Sequence, residues 1–359
     1  MAGRVLFAVH DWGLGHATRS LLLIRALLAR GDDVTILMAA GAGMTLLRSE
    51  LGDACEFYPS RDIPKPFSRY PALFYLRMSL YMPWVLIHFR LEHLLTERLV
   101  AERRFDRVVS DSRFGIWSRA VPSYCLLHSL RQIIPGRPRW LEREVERGQR
   151  QLLAGFAKVL IPDVAENGGL SGDLGHDPAL DWGPGRLEYI GPLAGLRSTS
   201  DVEDVDFFFS ISGIEPQLTL LSRLVLDALP RLRGRIVVTL GRPDQAGTQS
   251  RVGGATVHGY LDRRTQAEMV SRARVTMTRS GYTTLMELAA LGKRALFVPT
   301  PGQSEQEYLA DLHCKRGNVW STTQRSLDLA TDLARAAAAP GLPRIACEGS
   351  AERFLAAIA

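Results

Sequence analysis

Asp11, Gly13, Gly15 and His16 fall together in the run HDWGLGHATRS, His10 to Ser20, directly behind the apolar stretch RVLFAV. Glycines at the entry to a helix let a ligand approach free backbone N–H groups, and the helix dipole favours an anion there. An imidazole beside that N-terminus is favoured in its neutral form, which can accept a proton or donate to a phosphate oxygen. The run is a weak signal taken alone, because a tight strand-to-helix turn also uses such residues. It lacks the third glycine and the downstream acidic residue of a dinucleotide fingerprint. No GxxxxGK[ST] occurs in the chain, which excludes a P-loop NTPase.

Three more loops have the same character. SDSRFG carries Asp111 and Arg113, SISGIEPQ carries Ser212 and Gly213, and TRSGYTTLMELAALG carries Arg279, Ser280, Gly281 and Glu287. Each follows an apolar run and most open a helix. Small residues there permit close backbone approach, and Arg279 adds a positive charge. The acidic DVD at Asp204–Asp206 imitates a metal-binding pair, but it precedes a strand in an Asp-rich stretch and reads as solvated. The eight histidines show no HxxxH-type spacing, so no metal is expected.

The block from Val257 to His313 resembles the C-terminal, donor-binding domain of glycosyltransferase family 28. It runs from VHGYLDRR through TRSGYTTLMELAALG and FVPTPG to QSEQEY. The family includes the enzyme that adds N-acetylglucosamine to the lipid-linked peptidoglycan precursor, and monogalactosyldiacylglycerol synthase. GLGHATRS is similar to the family's N-terminal glycine-rich loop and histidine, though a GTGGH-like spelling is usual there, and residues 50–200 match loosely. The resemblance implies a GT-B fold and a metal-independent, inverting transfer of sugar from a UDP-sugar co-substrate. It further implies that Glu287 accepts hydrogen bonds from the ribose and that Tyr260 and Leu261 hold the base. Gln306 and Glu307 would grip the donor sugar, with Glu307 standing where a second glutamine is common. An inverting transfer needs a group to take the acceptor's proton. His16 and Asp111 qualify about equally, although Asp111 also suits a helix cap. Asp11, Arg113 and His128 are further acceptor-side candidates. A UDP-sugar hydrolase of the nonulosonic-acid type, which carries a related GxGH loop, is the other enzymatic reading. A non-catalytic sugar-nucleotide-binding protein is the third.

These residues need a scaffold of alternating strands and helices. Short Val-, Ile- and Leu-rich runs at 4–9, 33–39, 105–112, 121–129 and 157–163 alternate with helix-length segments, which indicates a parallel sheet covered on both faces. Between Gly168 and Asp206 the chain is dense in Gly, Pro, Ser and Asp, and its end, about 192–205, reads as a linker. The alternation then restarts at DFFFSIS. The expected fold class is therefore α/β, two Rossmann-like parallel-sheet domains facing each other across a cleft. The expected domains are an acceptor-side domain at 1–195, a donor domain at 196–348, and a helix at 349–359 returning to the first.

The chain has 359 residues, 46% of them apolar and 23% charged, which suits two globular domains. A net charge of +6 favours anionic partners, yet no basic run interleaved with aromatics marks a nucleic-acid binder. The expected partners are thus a nucleotide-sugar donor and a glycan or lipid acceptor. Four scattered cysteines fit a reducing cytosol, and the N-terminus reads as a strand rather than a signal peptide. The stretch Ala72–Leu95 is interrupted by Arg77, His88 and Arg90 and broken by Pro83, so it does not span a bilayer. It reads as one or two buried helices. The sharper alternative is a basic, aromatic helix resting on an anionic membrane, which would make the protein peripheral at the inner face.

Overall fold

The computed structural model describes every residue except 1, 12, 62, 64–71, 135, 137, 177, 179, 196–201 and 214, and for residues 72–79 the backbone alone. Trp12 of the first loop, Ile214 of the third and residues 196–201 of the expected linker lie outside the described residues. The chain forms two compact units, Met1–Gly195 with Cys347–Ala359, and Leu196–Ala346.

In the first unit seven parallel strands follow the order β3-β2-β1-β4-β5-β6-β7. They are β1 (Arg4–Val9), β2 (Asp33–Met38), β3 (Glu56–Pro59), β4 (Arg107–Asp111), β5 (Ser123–Leu126), β6 (Lys158–Ile161) and β7 (Leu187–Tyr189). β1 and β2 are buried after their first residue, as central parallel strands must be when helices cover both faces. The covering helices are α1 (Leu14–Arg30), α2 (Ala42–Leu51), α3 (Ala72–Arg103) and α4 (Arg139–Leu152). α1 presents Ala17, Leu21, Ile24 and Leu27 inward at helical spacing and ends on Gly31 in the left-handed region.

α3 departs from expectation. Pro83 lies inside one continuous 32-residue helix instead of breaking it. That proline is exposed, so its ring meets no packed neighbour that would force the helix to break. The helix is not wholly buried either. Val85, Phe89, Glu92, Thr96 and Leu99 face inward, while Leu80 is 70% exposed, Trp84 69%, Ile87 52%, Leu91 59% and Leu94 55%. Among the described residues no helix is long and apolar enough to cross a membrane.

The second unit holds another seven strands in the order β10-β11-β9-β8-β12-β13-β14. They are β8 (Val205–Ser210), β9 (Ile236–Thr239), β10 (Gln249–Val252), β11 (Ala255–His258), β12 (Ala273–Thr278), β13 (Arg294–Phe297) and β14 (Trp320–Ser321). Among the described residues only the edge pair β10–β11 is antiparallel. Its polar strand QSRV has no apolar run to betray it in the sequence. The helices are α5 (Gln217–Ala228), α6 (Arg263–Arg272), α7 (Tyr282–Leu291), α8 (Ser304–Lys315) and α9 (Leu329–Ala338). Phe209, Val238, Val275, Met277 and Leu296 form the floor of its core, with Leu221, Val225 and Leu333 from α5 and α9 packed on it. Asp204 is not merely solvated: it pairs with Arg272 at 2.7 Å and Arg235 at 2.5 Å, and Asp206 accepts from Arg235 N at 2.8 Å. Bonds to Arg272 hold the Asp204 carboxyl low, at about 2.

The last helix, α10 (Ser350–Ala357), belongs to the first unit, where it packs on α1 with Phe354 and Ile358 buried. Arg107 donates to Ile358 O at 2.7 Å, and Arg353 donates to Ile190 O at 3.0 Å.

Candidate functional site

The strand order of the first unit reverses between β1 and β4, which pair with Val9 opposite Asp111. Chain segments leaving two such strands diverge, so the ends of β1 and β4 frame an opening that the sheet itself does not fill. The first loop and Asp111 both lie there. Gly13 caps α1 at φ 108, a conformation that disfavours a side chain, and a Cβ there would meet open space. Ser112 after Asp111 adopts the left-handed region at φ 59, and SDSRFG runs on to β5 without opening a helix.

His16 and Asp111, equal candidates as a base, are brought into contact. His16 Nδ1 lies 3.0 Å from Asp111 Oδ1. Asp111 is fully buried and cannot meet a substrate by itself. Its Oδ2 accepts from Arg19 Nε at 3.0 Å and Ser20 Oγ at 2.9 Å, and its Oδ1 also accepts from Arg19 Nη2. Burial opposes its charge, but the Arg19 guanidinium and the His16 ring hold its carboxyl well below the usual carboxylate range. Asp111 is thus a permanent anion behind His16, which corrects its standing as an independent base. Burial lowers His16 to about 4, with Asp111 opposing and Arg19 and His10 adding to the fall. The imidazole is therefore neutral at pH 7. Arg19, absent from the sequence reading, is the hub of the cluster. Its signal was present in HATRS, where His16, Arg19 and Ser20 stand three and four residues apart on one helix face.

Other acceptor-side candidates fall elsewhere. Arg113 is buried in an ion pair with Glu92 at 2.6 Å and donates to Ser60 Oγ at 2.9 Å and Arg61 O at 2.8 Å. It ties the β4 loop to α3 and is no contact for an acceptor. His128 joins the cluster through Arg19 Nη1, 3.1 Å from its Nδ1. Asp11 is half-buried beside Gly41, whose Cβ would lie 3.2 Å from its carboxylate.

The second unit repeats the geometry. Its strand order reverses between β8 and β12, with Ser210 opposite Thr278, so Ser212–Gly213 and Arg279–Gly281 are the two loops at that opening. Ser212 and Gly213 are exposed, and Gly213 sits at φ 130. Gly281 caps α7 with no atom within 4 Å of its Cβ position, leaving the helix N-terminus approachable. Arg279 corrects its expected role. It is buried and donates to Ser212 O, Val298 O, Pro299 O, Gln217 O and Gln324 Oε1 at 2.9–3.3 Å. Burial lowers it to about 10. It stitches strand ends together instead of offering its charge to a ligand.

Glu287 is half-buried on α7 and accepts no hydrogen bond from a described residue; burial pushes its carboxyl up to about 7. The Arg263 charge only partly opposes that rise, leaving a carboxyl whose charge a ligand's hydrogen-bond donors would stabilise. Ser280 Oγ donates to Gln306 O at 2.7 Å. Gln306 Oε1 accepts from Thr300 N at 2.9 Å, and the exposed Glu307 accepts from Gly302 N at 2.9 Å. Each of these two side chains therefore spends an oxygen on shaping the loop before α8. Tyr260 is half-buried, and Leu261 is buried with its carbonyl accepting from Gln266 Nε2 at 3.1 Å. Among the described residues no group of three or more His, Cys, Asp or Glu is placed to hold a metal ion.

Residues 217–338 match the glycosyltransferase family 28 C-terminal domain. A search of curated proteins finds no match. Among solved structures, the kitacinnamycin glycotransferase is similar with a TM-score of 0.67 and 16% identity, over 99% of this chain and 94% of that one. MurG of Acinetobacter baumannii has a TM-score of 0.60 and 15% identity, over 100% and 99%. The glycosyltransferase SsfS6 of Streptomyces sp. SF2575, complexed with thymidine diphosphate, has a TM-score of 0.55 and 14% identity, over 99% and 95%. At these identities the neighbours establish the fold, and the family match lies within the second unit. The chain has the GT-B fold of these glycosyltransferases, and residues 217–338, within its second unit, match the family 28 C-terminal domain.

Proposed function

We propose that the protein transfers a sugar, with inversion and without a metal, from a nucleoside diphosphate sugar to the hydroxyl of a lipid-bearing acceptor. The observation that carries this reading is the neutral His16 imidazole held against the buried Asp111 carboxylate at the switch point of the first sheet. His16 Nε2 takes the proton of the acceptor hydroxyl as its oxygen attacks the anomeric carbon, and the nucleoside diphosphate leaves. Charge growing on that leaving group is stabilised by the N-terminus of α7 and the backbone of the Ser212–Gly213 and Ser280–Gly281 loops. Glu287 binds the ribose, Tyr260 and Leu261 the base, and Gln306 and Glu307 the sugar. The donor is a UDP-sugar by the family resemblance, with a dTDP-sugar as the competitor suggested by the ligand of SsfS6.

A lipid-bearing acceptor is supported by the exposed apolar face of α3, where Leu80, Trp84, Ile87, Leu91 and Leu94 lie beside the exposed Arg90. The test incubates the protein with UDP- and dTDP-sugars, with and without a cell lipid extract, and measures nucleotide release. Release that requires the extract and survives EDTA is expected. Release in water alone would make the enzyme a hydrolase, and absence of nucleotide binding in calorimetry would refute both.

A further inference from the structure

We infer that Thr300 is a further residue of the donor site, whose hydroxyl donates a hydrogen bond to a diphosphate oxygen seated over Gly213. The inference deepens the proposed function and rests on its reading that a nucleoside diphosphate sugar binds at the opening between β8 and β12. Thr300 follows β13, which lies beside β12 in the sheet. Val298 N still donates to Thr278 O at 3.0 Å, so the chain runs alongside β12 as far as Val298 and turns beyond it. The backbone of Thr300 is then held at both of its polar groups. Its N–H donates to Gln306 Oε1 at 2.9 Å, and its carbonyl accepts from Gln303 N at 3.0 Å.

The hydroxyl is different. Thr300 is only 7% exposed, and its Oγ1 is buried with no hydrogen-bond partner among the described residues. A buried hydroxyl in that state destabilises the fold, and a ligand that brings an acceptor recovers the cost. Oγ1 faces Gly213: the position a Cβ would take on that glycine lies 4.0 Å from Oγ1 and 3.8 Å from Arg279 Nε. Apart from the chain neighbours of Gly213, no other described atom comes within 4 Å of it. Gly213 itself is exposed, so a ligand can lie against its backbone. The neighbouring buried donors are already committed. Arg279 has five N–H groups. Nε goes to Ser212 O, Nη1 to Val298 O and Pro299 O, and Nη2 to Gln217 O and Gln324 Oε1. Its charge stands behind the space while none of its hydrogens is left for a ligand. Ser280 Oγ is spent on Gln306 O. The carboxylate two residues past Gly213, Glu215, is paired with Arg242 at 3.1 Å. A phosphate oxygen therefore suits the space better than a neutral sugar hydroxyl, because the guanidinium charge adds to the bond from Thr300.

The test compares the intact wild type with Thr300→Val, which keeps the shape and removes the hydroxyl, and with Thr300→Ser, which keeps the hydroxyl. Binding of UDP and dTDP is measured by calorimetry, binding of uridine and thymidine by ligand-observed NMR, and stability by denaturant unfolding without ligand. Thr300→Val should weaken binding of whichever diphosphate wild type prefers by about tenfold or more, as loss of a bond to a charged group predicts. Binding of the matching nucleoside should not change. The unfolding midpoint of Thr300→Val should equal or exceed that of wild type, because the hydroxyl removed had no partner in the free protein. Thr300→Ser should recover most of the lost affinity. A Thr300→Val protein that binds the diphosphate as wild type does would overturn the inference. So would a loss shared equally by the nucleoside, or an earlier unfolding midpoint, since either would make the hydroxyl a prop of the fold. Wild type that binds neither diphosphate would instead refute the donor reading, and this inference with it.

Discussion

A base must be neutral to act, and the environment of His16 decides over what pH range it is. Burial, with Arg19 and His10 adding to the fall, lowers it from 6.5 to about 4, so the proton-accepting form persists down to that pH. Activity should therefore fall as pH drops through about 4, where an ordinary histidine would fail near 6.5. His16→Ala should lose on the order of 10²–10⁴-fold in nucleotide release at pH 7. Asp111→Asn should act differently, because it leaves the Arg19 charge buried without its carboxylate. Destabilisation of about 3–5 kcal/mol, read from denaturant unfolding, is expected alongside the loss of activity. Glu287 titrates in the opposite sense: raised from 4.5 to about 7, it becomes a carboxylate only as pH rises through neutrality. If the carboxylate binds the ribose, affinity for UDP in calorimetry should increase from pH 6 to pH 8. Glu287→Gln should weaken binding by about tenfold or more and abolish that pH dependence. The sequence revealed His16 and Asp111 as candidates because strand-end loops are visible as motifs. It could not reveal that they touch, since 95 residues separate them.

Strands and helices with an apolar period were legible almost to the residue. β1, β2, α7 and β12 stand where RVLFAV, DVTILM, YTTLMELAAL and the run before TRSG place them. What escaped detection lacked that period or carried a misleading breaker. β10 is a polar edge strand held by pairing with β11, and α3 runs through Pro83. Arginines were the other blind spot, because composition does not distinguish a buried guanidinium from an exposed one. Arg113 and Arg279 both proved to be internal ties. Arg279→Met should consequently destabilise the second unit by about 2–4 kcal/mol, as carbonyls at three strand and helix ends lose their donor. Its melting temperature should fall while the folded fraction still binds UDP. A variant that melts normally yet binds no UDP would restore Arg279 as a phosphate ligand.

The chain crosses between its two units twice, and the second crossing carries a prediction of its own. Residues Cys347–Ala359 leave the second unit and complete the first, where Phe354 and Ile358 are buried and Arg107 and Arg353 bond to backbone carbonyls. A chain ending at Ala346 keeps every strand of both sheets but uncovers the face of α1 that α10 protects. Burying a Phe or Ile side chain stabilises by about 1.5–3 kcal/mol each, so the first unit should lose about 3–6 kcal/mol. Five of the six tryptophans, at 12, 84, 117, 140 and 182, belong to that unit, so intrinsic fluorescence reports mainly on its unfolding. Truncation should shift the fluorescence transition to lower denaturant. UDP binding, which the proposed function assigns to the loops at β8 and β12, should survive under conditions where the first unit is already unfolded. Nucleotide release would then be lost with binding intact, because His16 and Asp111 are held by the unit that came apart. If truncation abolished UDP binding and left the fluorescence transition unmoved, α10 would be supporting the second unit, and this account of the C-terminus would be wrong.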